Sequence, residues 1–263
     1  IKAQPMDAVV LVGGCDKTIP ALLMGAASAD VPAIVEVTGP MLTGTHHGER
    51  IGACTDCRRF WAKFRGGEIT KCEIEELTNE LVPTAGTCGV MGTASTMALM
   101  TEAMGMMLPG GAAIPATYAD RPRHAELTGT RAVAVAAEAL KPDQIITPES
   151  VRNSLRILQA VGGSTNGLIH MSAIAGRLGI NVDLHEFDSL GRDIPVLVDL
   201  KPSGKFYMED LYRAGGLGPI LKELRNHLEL GARTISGRTL GEEIDALPVA
   251  YKQDVVRPLK DPV

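Results

Sequence analysis

A thiol, a carboxylate and an amine meet in one tripeptide, Cys15-Asp16-Lys17, inside the stretch Gly13-Gly14-Cys15-Asp16-Lys17-Thr18. A thiolate is a soft donor that selects iron-sulfur clusters, zinc or Cu(I), whereas a carboxylate is a hard oxygen donor suited to magnesium or manganese. The tripeptide therefore offers ligands to two unlike metals. An ammonium beside them repels cations, so Lys17 makes chemical sense either as a contact for a substrate carboxylate or as a lysine carbamylated into an oxygen ligand. A phosphate-binding loop is excluded, because the glycines and the Lys17-Thr18 pair do not have the G-x-x-x-x-G-K-[ST] spacing.

Two further glycine-punctuated stretches carry polar chemistry. Thr84-Ala85-Gly86-Thr87-Cys88-Gly89-Val90-Met91-Gly92 holds a second cysteine, and Gly162-Gly163-Ser164-Thr165-Asn166-Gly167 opens a helix. An isolated Cys15 or Cys88 reads more readily as a small buried hydrophobe than as a ligand. In glycine-rich loops after apolar segments, however, both are placed for backbone to approach a bound group, which points to a shared site. Ser164 and Thr165 could cap their helix, or the helix amides could face an anionic group such as a substrate carboxylate. His170 falls on the apolar face of the same helix and is expected to be a hydrogen-bonded core residue. A separate candidate is Cys54-Thr55-Asp56-Cys57, a C-x-x-C that with Cys72 or His46-His47 would make a zinc site or a thiol redox pair. That reading describes a metal-stabilised binding module in place of an enzyme, and it lacks a second C-x-x-C.

The elements that must position these groups follow from hydrophobic periodicity. Asp7 to Val12 reads as a buried strand that runs through the Gly-Gly-Cys loop into a helix over 19–29, a β-loop-α unit. In α/β proteins the carboxyl ends of such strands are where binding sites gather. Pro32 to Thr38 is a second strand, followed by a long glycine-rich loop from Gly39 to Gly52. Helices are expected over 56–64, 74–81, 93–107, 121–140, from Thr147-Pro148-Glu149 onward, 184–190, 208–214 and 220–226, with a short strand at 195–198. Met97, Met100, Met104 and Met107 recur at helical spacing and read as core packing. The expected fold is α/β, a parallel sheet flanked by helices.

Composition narrows the class. The 263 residues are 45% hydrophobic and 22% charged, with a net charge of -5 and acidic and basic residues interleaved. No basic patch marks a nucleic-acid or anionic-membrane partner. No apolar run approaches the roughly 20 residues of a membrane span, and the start lacks the order of a secretory signal, so the cytoplasm is the expected compartment. Five cysteines, an odd number in a chain large enough to bury a core, argue against a disulfide framework.

Gly14-Cys15-Asp16-Lys17-Thr18-Ile19-Pro20, Gly86-Thr87-Cys88-Gly89-Val90-Met91-Gly92-Thr93-Ala94-Ser95-Thr96-Met97 and Gly162-Gly163-Ser164-Thr165-Asn166 with Ile169-His170 closely resemble three signatures of the dihydroxy-acid and sugar-acid dehydratases, the IlvD/Edd family. The resemblance implies a [2Fe-2S] cluster, or [4Fe-4S] in some members, with a neighbouring Mg2+. Carried over by residue, Cys15 and Cys88 are two cluster ligands and Asp16 is a Mg2+ ligand. Lys17 is the carbamylated lysine that also binds Mg2+ and belongs to the catalytic machinery, while Ser164 and Thr165 face substrate. The implied reaction dehydrates a 2,3-dihydroxy carboxylate to a 2-keto acid. Thr38 to Gly44, Cys15 to Ala21 and Met91 to Ala94 look more like sugar-acid members, which points to a pentonate such as arabinonate or xylonate. The alternative is the dihydroxy-acid dehydratase of branched-chain amino-acid biosynthesis. A homo-oligomer is expected.

The family's third cluster cysteine and a Mg2+-binding glutamate precede the Cys-Asp-Lys motif, and a further glutamate and a serine base lie in a C-terminal β-barrel. None has a counterpart here. Residues 1–254 are thus expected to be the bulk of an N-terminal domain, and 255–263 the start of a link to the second. The chain alone is expected not to turn over substrate.

Overall fold

The computed structural model describes residues 1, 3–4, 6–53, 55–248 and 251–263. The chain contains the expected β-loop-α unit, but the strand expected to be buried is buried on one face only, with Val10 39% and Val12 61% exposed. Strand β1 (Val9–Gly13) leads into helix α1 (Thr18–Ala29) and then strand β2 (Ala33–Val37), which pairs parallel to β1 with Val9 opposite Ala33 and Gly13 opposite Val37. Every residue of β2 is buried, the apolar ones as a parallel strand covered by helices requires and Glu36 among them as the exception. The α/β expectation holds, with a small parallel sheet in a helix-rich chain.

Beyond β2 the chain keeps strand-like pairing without forming a longer strand. The amide of Thr38 donates to the Gly13 carbonyl at 2.9 Å, Thr87 donates to the Gly39 carbonyl at 3.0 Å and Met41 donates to the Thr87 carbonyl at 2.8 Å. Between these points the chain makes an excursion. A hairpin of β3 (Gly44–His46) and β4 (Glu49–Ile51) is followed by α2 (Asp56–Arg65) and α3 (Lys71–Glu80). Ile51, Phe60, Ile74, Leu77 and Leu81 form a small core of their own there. The hairpin replaces the featureless loop expected over 39–52. Its turn is His47-Gly48, with φ of 48° and 82°, the pair of left-handed residues that a two-residue hairpin loop demands.

Helix α4 (Thr93–Ala103) runs through the main core, and all its residues from Ala94 to Ala103 are buried. The methionine stripe is core packing: Met97, Met100, Met104 and Met107 are each at most 1% exposed. The helix is shorter than the expected 93–107, because Gly105 takes φ 86° and turns the chain. Met106 then offers its carbonyl to the Val35 amide at 2.9 Å.

The remaining helices are α5 (Asp120–Ala137), α6 (Pro148–Ala160), α7 (Asn166–Gly176), α8 (Leu184–Gly191), α9 (Met208–Arg213), α10 (Gly218–Glu223) and α11 (Leu240–Ala246). Helices α1 and α5 pack on the strand pair, α4 packs on α1, α6 and α7, and α7 packs on α1. The strand expected at 195–198 is extended chain in which Val198 makes a single bridge, to Val256. Residues 255–263 lie along it, with Arg257 N bonded to the Leu197 carbonyl and Val263 N to the Val196 carbonyl. No helix among the described residues is long and apolar enough to cross a membrane.

Candidate active site

The first loop is pinned by a close approach that only glycine permits. A Cβ on Gly14 would stand 1.9 Å from Thr38 Oγ1 and 2.8 Å from Thr87 Cγ2. Its absence lets the Cys15 loop lie against Thr87, the neighbour of Cys88. The second loop is equally tight: Gly86 takes φ 134°, and a Cβ there would meet the Met41 amide at 2.4 Å. The two cysteine loops are thus brought together by glycine contacts at the carboxyl ends of β1 and β2.

Cys15 is exposed and Cys88 half-buried. The Cys15 carbonyl accepts the amides of Thr18 at 3.0 Å and Ile19 at 3.4 Å, starting α1 directly behind the thiol. Its thiol donates to Asp16 Oδ1 at 3.5 Å, and Lys17 Nζ donates to Asp16 Oδ2 at 3.0 Å. The hydrogen bond from Lys17 holds the Asp16 carboxyl below its ordinary pKa, so the oxygen donor is ionised and ready for a cation. Both side chains are well exposed, at 67% for Lys17 and 43% for Asp16, and an ion pair in that setting is held weakly. The amine can therefore leave the carboxylate at little cost.

Behind Cys88, Ser95 on α4 donates its hydroxyl to the Val90 carbonyl at 2.9 Å, and Thr96 donates to the Gly92 carbonyl at 2.8 Å. The same Thr96 hydroxyl accepts the Ser164 amide at 3.0 Å. Thr93 Oγ1 donates to Ser164 Oγ at 2.9 Å and accepts from Asn166 Nδ2 at 3.1 Å. The second and third loops are therefore cross-linked by hydroxyls on the first turn of α4. Ser164 Oγ also accepts the Asn166 amide at 3.3 Å, a local turn that starts α7. Thr165 makes no side-chain cap and is exposed.

Helix α7 returns the third loop to the first. His170 on α7 lies within electrostatic reach of Lys17 and Asp16, and burial, then the positive charge of Lys17, lower its pKa. Its imidazole is therefore neutral near pH 7. The expectation of a hydrogen-bonded core histidine is corrected here: Nε2 is buried without a hydrogen-bond partner among the described residues. Helix α7 packs on α1, the helix that Lys17 precedes, a juxtaposition that no local pattern in the sequence announces. A polar atom left unpaired beside an exposed acid and amine is a place for a bound group.

The three loops thus close into a ring: Gly14 on Thr87, Thr93 and Thr96 on Ser164, His170 beside Lys17. The donor set fits the expected groups. Cys15 and Cys88 offer soft sulfur for a cluster, Asp16 offers hard oxygen for Mg2+, and Lys17 would join it once carbamylated.

The alternative C-x-x-C reading fares differently. Cys54 lies outside the described residues, Cys57 packs against the small core of α2 and α3, and Cys72 is exposed with its thiol on Glu76 Oε1 at 3.5 Å. Among the described residues, the metal-competent group in this region is His46, His47 and Glu73, with neither cysteine in it.

Comparison with known proteins gives the chain's family. Residues 1–243 match the family described as dihydroxy-acid/6-phosphogluconate dehydratase N-terminal. An L-arabinonate dehydratase of Rhizobium leguminosarum bv. trifolii is 47% identical over 98% of this chain and 45% of its own length. A dihydroxy-acid dehydratase of Thermodesulfovibrio yellowstonii is 41% identical over 99% of this chain and 47% of its own. A 6-deoxy-6-sulfo-D-gluconate dehydratase of Pseudomonas putida is 39% identical, the match covering 100% of this chain and 45% of that protein. The chain spans about half the length of these curated relatives. By the extent of this match, the chain belongs to the dihydroxy-acid/6-phosphogluconate dehydratase family and corresponds to its N-terminal part.

Proposed function

We propose that this chain is the cluster-bearing and magnesium-bearing part of a hydro-lyase that dehydrates a sugar acid, a pentonate such as arabinonate or xylonate, to a 2-keto-3-deoxy acid. The observation that supports this reading is the linkage of the three loops, Gly14 against Thr87 and the Thr93 and Thr96 hydroxyls on Ser164, which carry two cysteines, an ionised aspartate and a lysine between them. Cys15 and Cys88 would hold the iron-sulfur cluster, and Asp16 with carbamylated Lys17 would hold Mg2+. When bound, these groups supply Lewis acidity for the substrate carboxylate and C2 oxygen and for departure of the C3 hydroxyl.

The chain's own residues have supporting tasks. Lys17, released from its weak pair with Asp16 and deprotonated, would add CO2 and lose a second proton to give a carbamate, an anionic ligand in place of a cation-repelling amine. His170, neutral and with Nε2 unpaired, sets a hydrogen-bonding group beside Lys17 without adding positive charge. Ser164 is oriented by Thr93 and Asn166 at the start of α7, where backbone amides favour an anion such as the substrate carboxylate. A second reading, dehydration of a branched-chain dihydroxy acid, is favoured by the 41% identity to the Thermodesulfovibrio protein.

The test uses the full-length protein that contains this chain, purified anaerobically with Mg2+ and offered arabinonate, xylonate and 2,3-dihydroxyisovalerate in parallel. Pentonates are expected to give a 2-keto acid with at least about tenfold higher kcat/KM, since a site built to bond substrate hydroxyls discriminates against apolar replacements. The reverse preference would move the assignment to the branched-chain acids, and no 2-keto acid from any of them with an intact cluster would end it. Cys15→Ser should abolish the visible iron-sulfur absorption.

A further inference from the structure

The excursion between β2 and Thr87 carries a cluster that the three loops do not use. His46 at the end of β3, His47 in the hairpin turn and Glu73 in the first turn of α3 hold their ligand atoms within 4.8 Å of one another. We propose that these three residues form a divalent transition-metal site, with zinc its preferred occupant, that clips the β3–β4 hairpin to α3.

The buried member carries the argument. The His46 side chain is 9% exposed, and its Nε2 is buried without a hydrogen-bond partner among the described residues. That nitrogen points toward Glu73, whose Oε1 stands 3.9 Å away, beyond hydrogen-bond length. An imidazole nitrogen sealed from water and aimed at a carboxylate it does not touch leaves room for an ion between them. The Phe60 ring, edge-on to His46 with centroids 5.9 Å apart, closes the apolar side. The other two ligands are accessible and adjustable. His47 is stacked on His46 at 4.0 Å, held there by its left-handed φ of 48°. Glu73 is half-buried, with its amide fixed by Thr70 Oγ1 at 3.2 Å.

Two imidazoles and one carboxylate make a donor set that suits zinc, with the fourth position left to water. Magnesium is disfavoured, because it takes oxygen ligands almost exclusively. Ligand atoms around a tetrahedral zinc with bonds of about 2.0–2.1 Å lie about 3.3 Å apart. The present separations therefore close by a modest rotation of Glu73 and His47, the two mobile members. Next to the imidazoles a recess of about 410 Å³, lined by Thr45, His46, His47, Glu76, Asn79 and Glu80, gives an ion its entry path, and its two glutamates attract cations.

The experiment titrates Zn2+ into this chain with its cysteines alkylated, so that thiolates cannot compete, against a chromophoric chelator, and follows thermal unfolding in parallel. One equivalent is expected to bind with micromolar or tighter Kd and to raise Tm. Glu73→Gln and His47→Asn, the latter chosen because asparagine tolerates the left-handed turn, should each weaken binding at least about tenfold, since even outer partners of metal ligands are worth about 10–100-fold. Co2+ bound by the alkylated chain should show the weak absorption of nitrogen and oxygen ligation, and Glu73→Gln should change it. Failure of the alkylated chain, still folded by its thermal transition, to bind one equivalent, unchanged affinity in both variants, or a Co2+ spectrum that Glu73→Gln leaves unaltered would each overturn the proposal.

Discussion

Glu36 places a carboxylate in the middle of a fully buried strand, where an unpaired charge would be ruinous. Burial pushes its pKa up, but hydrogen bonds from His124 Nδ1 and Thr128 Oγ1, each 2.7 Å from Oε2, and from Arg121 Nη1, 2.8 Å from Oε1, outweigh that and leave it below the ordinary value. Burial likewise works against the His124 imidazolium, and the bond to Glu36 outweighs it, raising the pKa. The two shifts belong to one coupled pair that favours its ionised form. His124, raised, contributes stability that is complete below its unfolded value near 6.5 and is lost as pH climbs through the folded value. Glu36, lowered, contributes stability that is complete above its unfolded value near 4.5 and is lost as pH falls through the folded value. The pair therefore supports the fold best between about pH 4.5 and about pH 6.5. Glu36→Gln should cost about 3–5 kcal/mol and flatten the decline in stability on the alkaline side. Urea unfolding below and above the His124 transition checks this, and a variant that keeps the wild-type slope would remove the pair as its cause.

At the scale of elements, what could be read in the sequence was whatever a local pattern dictates. The β1-loop-α1 unit follows from an apolar run ending in glycines, and α6 from Thr147-Pro148, where Thr147 Oγ1 and Ser150 cap each other's amides. Helix α11 was not expected, although its signal was present: Thr239 accepts the Glu242 amide at 3.3 Å and Glu242 Oε2 accepts the Thr239 amide at 2.8 Å, a reciprocal cap spelled T-x-x-E. Thr239→Ala should cost about 1 kcal/mol, read as a shift of the urea midpoint without change of slope, and Glu242→Ala should cost less. The run Pro195 to Val198 looked like a strand because it is apolar, but strand character needs regular ladder pairing along its length, and here the bonds to residues 257 and 263 are scattered and only Val198 completes a bridge. The site divides in the same way. Cys15, Asp16, Lys17 and Cys88 could be named from motifs, whereas the Thr93 and Thr96 bonds to Ser164 span 71 and 68 residues of sequence and the unpaired Nε2 of His170 exists only once α7 packs on α1.

Over the whole molecule, two cores of unequal size predict unequal stability. The main core is built around α4, whereas Ile51, Phe60, Ile74, Leu77 and Leu81 hold the hairpin, α2 and α3 as a small separate body. That body is docked largely by polar contacts. Arg50 reaches Glu209 at 2.8 Å and Asp210 at 3.0 Å, and Asp56 accepts the Tyr207 hydroxyl at 2.9 Å and Lys201 Nζ at 3.3 Å. Burial and the Asp56 carboxylate push the Tyr207 hydroxyl well above its ordinary pKa, so it remains a donor at every accessible pH. Units with few apolar contacts open at lower free energy than the core, and the pairing of Pro40 with Thr87 closes the base of the excursion. Opening of α2 and α3 can therefore stop short of the Cys88 loop. Leu77→Ala, a fully buried site, should cost about 2–5 kcal/mol of local stability and speed amide exchange in α2, α3 and the hairpin while α4 keeps its protection. Leu99→Ala should lower protection throughout the main core. If Leu77→Ala instead accelerates exchange in α4 to the same degree, the two bodies unfold as one, and the Cys88 loop is then only as stable as the hairpin and helices that lie between it and β2.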